Sequence, residues 1–299
     1  MNGIIIIDKE QGFTSHDVVA KMRGICGQKK IGHTGTLDPW ATGVLPVCLG
    51  SGTKLCELLT EKDKEYVAEL LLGVETDTQD ITGRALAEHT VNVTEEEVRR
   101  ACESFLGEYE QVPPMYSAIK IDGKKLYELA RAGKEVPREA RTVKIDELEI
   151  LDCSLPVVRF RVVCSRGTYI RTLCADIGGK LGCGGTMKSL RRTRSGSFCL
   201  AEAVTLDELQ RRKEEGRLEE ILRPVDSVFA DCPALHTEGE GDRLLQNGNA
   251  IRPEQTVEKK RHAPGQRVRF YRADGRFFGV YTFEPRRDCY VVWKMFPED

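Results

Sequence analysis

Apolar positions recur along the chain in two periods. Ile4 to Ile7 form a β-branched burst between Gly3 and Asp8, which predicts a strand over residues 3–8. Val18, Val19 and Met22 share one face of a 3.6-residue repeat, predicting a helix from Ser15 as N-cap through Met22. Residues 31–39 lose the periodicity and carry Gly, Thr, Asp and Pro, the composition of a loop. Residues 42–49 are expected to open a helix behind that loop. Residues 66–72 read as a strand, and 143–151 with 157–164 alternate as a strand pair. Thr94 and Glu97 have capping-box spacing and predict a helix through Phe105. After the break at Pro113-Pro114, helical patterns return at 126–132, ending near Gly133, and at 168–181, with Ile170, Leu173, Cys174 and Ile177 on one side. A charged helix over 211–220 closes at Arg223-Pro224.

Strands and helices thus interleave without the even βαβ repeat of a doubly wound fold. The expected class is α+β: a mixed, largely antiparallel sheet with helices, plus a small β-rich C-terminal module. Beyond about residue 230 the texture changes to short strands and Gly-rich turns, with 268–271 and 277–281 reading as neighbouring strands. The organisation expected is therefore a main domain over 1–230 and a module over 231–299.

Composition narrows the class. No apolar run is long enough to span a bilayer, and Ile4 to Ile7 is too short for a signal peptide, so the protein is expected to be cytoplasmic. The eleven cysteines are scattered, with no Cys-x-x-Cys pair, and the five histidines do not cluster with them. That spacing offers no metal site and predicts reduced, mostly buried thiols. No cofactor is expected. Net charge is −2, from 45 basic and 47 acidic side chains, so any nucleic-acid partner must meet local basic points. Lys29-Lys30, Arg191-Arg192 with Arg194, and Lys259 to His262 are such points. Each has solvated helix faces as its bland alternative.

The chemistry centres on one aspartate. Asp-Pro is usually a turn former, but Asp38 lies among Gly32, Gly35 and Gly43 and the polar His33, Thr34, Thr36 and Thr42. A carboxylate in such a loop suits nucleophilic or base work.

The run Gly32-His33-Thr34-Gly35-Thr36-Leu37-Asp38-Pro39-Trp40-Ala41-Thr42-Gly43-Val44-Leu45 resembles the signature of the tRNA pseudouridine-55 synthases. Lys64-Glu65-Tyr66, Gly167 to Leu173, and Leu190-Arg191-Arg192 resemble three further motifs of that family, in order. Residues 113–120 and 126–133 resemble its RNA-facing middle section. The match spans roughly residues 3–230 with no departure at a catalytic position, and is far more specific than one short pattern.

The resemblance implies isomerisation of the T-loop uridine of tRNA on a flipped-out nucleotide, with possible assistance to tRNA folding. Asp38 becomes the catalytic carboxylate, Arg171 its ionic partner, and Tyr66 a catalytic residue and the platform for the flipped base. His33, Tyr169, Leu190, Lys9 and Arg191 become substrate-binding residues, with Lys54 and Arg192 as further phosphate or pocket contacts. The tail becomes the small RNA-binding module shared by pseudouridine synthases and archaeosine transglycosylases. The partner implied is the tRNA T-arm stem-loop, with no membrane. The chain begins almost at its first strand, without a basic extension, so it is expected to work independently of guide RNA; a monomer is also expected.

On residue type alone, other readings stay open. Tyr66 suits a core strand as well as a stacking platform, and Arg171 suits a surface helix. An RNA-folding module whose main act is opening the tRNA elbow is a second function class. A retaining glycosidase with Asp38 as nucleophile is a third, disfavoured because no second acid stands out in the sequence.

Overall fold

The computed structural model describes residues 1–121 and 123–297; the last two residues of the expected C-terminal module lie outside that range. The strands are β1 (Gly3–Lys9), β2 (Ile31–His33), β3 (Thr42–Leu49), β4 (Lys64–Leu72), β5 (Gly107–Gln111), β6 (Arg141–Ser154), β7 (Val157–Cys164) and β8 (Gly185–Ser195). They build one sheet in the order β1-β3-β8-β4-β7-β6-β5, with β2 added beside β3. Every pairing along it is antiparallel except β3 with β8, so the sheet is mixed and largely antiparallel as expected.

The helices are α1 (Ser15–Cys26), α2 (Cys56–Thr60), α3 (Glu95–Glu103), α4 (Leu126–Arg131), α5 (Ile170–Lys180) and α6 (Leu206–Glu214). The alternation of β4 decides the layering. Tyr66, Ala68, Leu70 and Leu72 face inward and pack with Phe160 and Val162 of β7, Leu173 and Ile177 of α5, and Val98 and Cys102 of α3. Glu65 and Glu69 face the other way. Glu65 accepts from Arg161 at 3.0 Å and from Thr193 at 2.7 Å, leaving that side of the sheet polar. At β4 the sheet thus has one apolar and one polar face, the ordinary solution for antiparallel strands, whereas β1 and β3 are buried on both faces.

Three local expectations are corrected. Residues 42–49 form strand β3, not a helix. All but Thr42 are buried, and Leu49 pairs with Gly3 on one side and Ile31 on the other, so two ladders hold the segment extended. The N-cap of α1 is Thr14, whose hydroxyl accepts from Asp17 N in a capping box. Ser15 instead turns inward to the 31–39 loop. The charged helix lies earlier than 211–220, at 206–214, capped by Thr205.

The C-terminal strands β9 (Ala234–His236), β10 (Arg267–Tyr271), β11 (Phe277–Glu284) and β12 (Cys289–Met295) form a separate four-stranded sheet with helix α7 (Glu240–Gln246). Phe270, Tyr281, Phe283 and Tyr290 fill its core. Val280 and Phe296 pack with Ile4, Ile6 and Phe229, so this sheet rests against the main domain. Lys54 Nζ donates to Met295 O at 3.0 Å across the same junction. Among the described residues no helix is long and apolar enough to cross a membrane.

Candidate active site

Strand β3 is forked along one edge, and the fork creates the site. Its first two residues pair with Arg191 and Arg192 of β8, while Val47, Cys48 and Leu49 pair with β2. Residues 34–41 emerge between these partners. Thr34 N donates to Pro46 O at 3.2 Å as the loop leaves β2. At the far end Gly43 has φ +105°, and a Cβ there would sit 2.2 Å from Arg192 O, so only glycine lets the chain cross so close.

Three buried polar side chains pin the loop. Lys9 is fully buried, and its ammonium donates to Glu10 O at 3.0 Å, Phe13 O at 2.6 Å and Pro39 O at 3.2 Å. Arg192, 1% exposed, donates Nε to Val44 O at 2.6 Å and Nη2 to Gly35 O at 3.2 Å. Ser15 Oγ accepts from Leu37 N at 2.9 Å. Loops held this firmly give a side chain one position, which suits catalysis.

Lys9 and Arg192, expected as phosphate or pocket contacts, are thus both buried and turned to backbone carbonyls. An ammonium has three hydrogens, and all three of Lys9 are directed to backbone carbonyls. Both residues hold the loop from beneath. Burial lowers the Lys9 pKa to about 8, against the raising influence of Asp38.

Asp38 opens a turn closed by Ala41 N donating to Asp38 O at 3.0 Å, with Pro39 and Trp40 at the corners. Its side chain is 35% exposed and faces Arg171, whose Nη1 lies 3.4 Å from Asp38 Oδ2. Burial pushes the Asp38 carboxyl above the usual aspartate range; Arg171 opposes that push, and Asp80 adds to it.

Arg171 sits in the first turn of α5, nearly buried, so it is no surface arginine. The helix start is fixed by Gln111, which donates Nε2 to Tyr169 O at 3.1 Å and accepts from Tyr169 N at 2.8 Å. Arg171 Nη2 donates to Tyr116 O at 2.5 Å, bringing the 113–120 segment over the site.

Asp80 was not picked out in the sequence. Its Oδ2 lies 3.7 Å from Arg171 Nη1, and its side chain is 7% exposed. Its Oδ1 accepts from Thr78 Oγ1 at 2.9 Å and Thr82 N at 2.9 Å, and the Thr82 hydroxyl donates to it as well. Asp80 thus lies behind Arg171 as a second, fixed carboxylate. The run Asp77-Thr78-Gln79-Asp80-Ile81-Thr82-Gly83 carried a signal, an Asp with Thr two places on each side, but it reads as an ordinary turn.

Tyr66 on β4 and Leu190 on β8, each 8% exposed, belong to the same core cluster as Leu37 and Ala41 of the loop. They form the apolar floor. Arg192 lies cross-strand from Tyr66, and burial raises the phenol's pKa against the lowering influence of that guanidinium. Tyr169 packs over Arg171, ring centroid 5.7 Å from the guanidinium carbon. His33 lies at the loop entrance, edge-on to His16 with centroids 5.3 Å apart. Burial, His16 and Arg192 lower its pKa to about 4, so its imidazole is neutral at physiological pH.

Arg191 points away from Arg192, as alternation along β8 requires. It pairs with Asp8 at 2.7 Å and remains 43% exposed. Three further cations of the basic points are similarly matched: Arg194 with Asp63, Lys259 with Glu238, and Arg261 with Glu254 and Asp288.

Comparison with known proteins agrees with this geometry. Residues 23–170 match the N-terminal domain of the TruB family pseudouridylate synthases, and residues 171–230 match the tRNA pseudouridylate synthase B C-terminal domain. The tRNA pseudouridine synthase B of Lachnoclostridium phytofermentans is 48% identical, over 99% of this chain and 100% of its own length. That of Alkaliphilus oremlandii is 46% identical over 97% of each. Among solved structures, a Cbf5-Nop10-Gar1 complex matches with TM-score 0.72 and 29% identity, over 99% of this chain and 85% of the other. An H/ACA RNP bound to a substrate RNA containing 2'-deoxyuridine matches with TM-score 0.72 and 26% identity, over the same shares. A loop signature, a buried arginine on its aspartate and full-length similarity agree: the chain belongs to the TruB family of pseudouridylate synthases.

Proposed function

We propose that this enzyme converts the T-loop uridine of tRNA, position 55, to pseudouridine, with Asp38 as the catalytic carboxylate. The observation carrying this reading is the Asp38 carboxylate itself, partly open on a loop pinned at three points and set against buried Arg171. Arg171 keeps Asp38 ionised against the desolvation of the recess and fixes its direction. Uracil, flipped from its stack, lies against Tyr66 with Leu190 beneath, and Tyr169 closes the side. Asp38 acts on the ribose. The C1′–N1 bond breaks, the base turns, a C1′–C5 bond forms, the hydrogen on C5 leaves as a proton, and N1 takes up a proton in its place. No electrons are exchanged with another molecule, so side chains suffice for the balance.

The pocket suits isomerisation better than hydrolysis. The second carboxylate, Asp80, stands behind Arg171 with Oδ1 occupied by donors, and is not disposed to activate water on the open side. The apolar floor of Tyr66 and Leu190 helps exclude water while the base is detached.

The reading extends to a cytoplasmic monomer that works without guide RNA. Its independence of guide RNA is supported by 46–48% identity to relatives named tRNA pseudouridine synthase B, against 26–29% to proteins solved in H/ACA complexes. Flipping a T-loop base disturbs the tRNA elbow, so assistance to tRNA folding accompanies the chemistry. The neutral His33 at the loop entrance is placed to touch the vacated stack, and the C-terminal sheet extends the RNA-binding surface.

Asp38→Asn tests the assignment. The amide keeps the size and loses the charge and the nucleophilic oxygen. Tritium at C5 of the T-loop uridine is expected to be released by the wild type and retained by the variant, with stem-loop binding preserved. Release at the wild-type rate by a variant free of deamidation refutes Asp38 as the catalytic group.

A further inference from the structure

The turn that carries Asp38 also carries a tryptophan with no partner. Trp40 is 38% exposed, whereas Leu37 and Ala41 around it are buried at 3% and 0%. Among the described residues its indole makes no hydrogen bond, ring stack or cation contact. Tryptophan normally buries its ring and finds an acceptor for its N–H, so an open indole beside a reactive carboxylate calls for a ligand.

The backbone beneath it is rigid. Ala41 N closes the turn onto Asp38 O, the Pro39 ring fixes one corner, and Pro39 O accepts from both Gly12 N at 2.8 Å and Lys9 Nζ at 3.2 Å. Two peptide units separate Trp40 from Asp38, so their Cα atoms lie within about 7.6 Å. That is about the span from one nucleotide to the next in an extended strand. A ring held there gains contact area with little entropy to lose.

We propose that Trp40 is a substrate-binding residue that stacks on an unpaired RNA base next to the nucleotide engaged by Asp38. This rests on the reading of the substrate as a single-stranded RNA loop. The single strand is favoured over an apolar peptide because the neighbouring groups are a carboxylate and its arginine, and because aromatic rings grip unstacked bases by their faces. Asp38 acts on one nucleotide while Trp40 holds its neighbour, setting the register of the strand.

The chain has two tryptophans, which makes the test direct. Trp293 lies under Arg267, whose guanidinium carbon is 3.9 Å from its ring centroid, and against Phe229. In the full chain with Trp293→Phe, Trp40 is the sole indole emitter. Titration with an unmodified T-arm stem-loop is expected to change its emission saturably and at least halve its quenching by acrylamide. Trp40→Leu is expected to raise the stem-loop Kd at least about fivefold, the lower end for one stacked base, and Trp40→Phe to retain most of the affinity. Turnover at saturating RNA should change much less than KM in both. Unchanged acrylamide access on binding, or wild-type Kd in a Trp40→Leu protein that melts normally, overturns the proposal. Tritium release separates the two readings. If the wild type turns over a T-arm stem-loop and Trp40 is indifferent, only Trp40 is misassigned. If the wild type neither binds nor turns over that RNA, the T-loop reading falls and this one with it.

Discussion

Removing the guanidinium between Asp38 and Asp80 probes the site at its centre. In Arg171→Met a cation disappears from 3.4 Å and 3.7 Å contacts with the two carboxylates. At an effective permittivity of ~20, each contact corresponds to roughly 4.5–5 kcal/mol of attraction before desolvation is subtracted. Stranding one member of a buried pair typically costs ~3–5 kcal/mol, and the donors on Asp80 Oδ1 place this case at the low end, ~3 kcal/mol. Asp38 changes as well. It loses the group that holds its pKa down and keeps burial and Asp80, which both push it up. More of it is protonated at neutral pH, and the acid limb of the rate profile moves to higher pH. A freed carboxylate also wanders, and a displacement near 1 Å costs ~100-fold in rate. The double variant Arg171→Met/Asp80→Asn removes the stranded charge. It should regain most of the lost stability and bring the acid limb back down, while turnover stays low because Asp38 is still unheld. Urea unfolding and tritium release from pH 5 to 9 supply both readouts. An Arg171→Met protein that melts and turns over like the wild type refutes the reasoning. So does a double variant no more stable than the single.

Three further outcomes are expected. For the wild type, kcat/KM should fall on the acid side at a pH above the usual aspartate range, as Asp38 takes up a proton. It should fall again near pH 8, where Lys9 and Lys64, both lowered to about 8 by burial, lose a proton that donates to carbonyls; because His33 is neutral down to about 4, its ring proton resonances should not titrate between pH 5 and 8, and a shift of those resonances near 6.5 would contradict the assignment. Lys9→Met strands three carbonyls and should lower stability by ~1–3 kcal/mol and reduce kcat more than RNA affinity; a uniform loss of affinity with kcat intact would restore the phosphate role. Tyr66→Leu should weaken stem-loop binding by the ~1–3 kcal/mol of a stacked base while Tyr66→Phe binds normally, and equal wild-type rates in both would make Tyr66 a core residue only.

The linear chain determined a good deal by itself. Signals that depend on neighbours in sequence were legible: the Ile4 to Ile7 strand, the Thr94/Glu97 capping box, the alternating 143–151 and 157–164 pair, and the strands at 268–271 and 277–281. The unbroken motif through Asp38 was legible for the same reason. Tertiary structure decided the rest. Residues 42–49 have no local marker that separates a strand from a helix, and only the ladders to β1 and β2 hold them extended. Lys9 and Arg192 look like surface cations because charge in a sequence carries no sign of burial, yet both are enclosed under the loop they hold. Asp80 stands 42 residues beyond Asp38 in the numbering and resembles any Asp in a Thr-rich turn. Folding brings it within 3.7 Å of Arg171, a residue supplied by yet another helix. Motif spacing can report the groups that touch substrate along one loop. The charges that set their protonation arrive from distant elements, because a low-dielectric recess exists only once the sheet and its helices have packed.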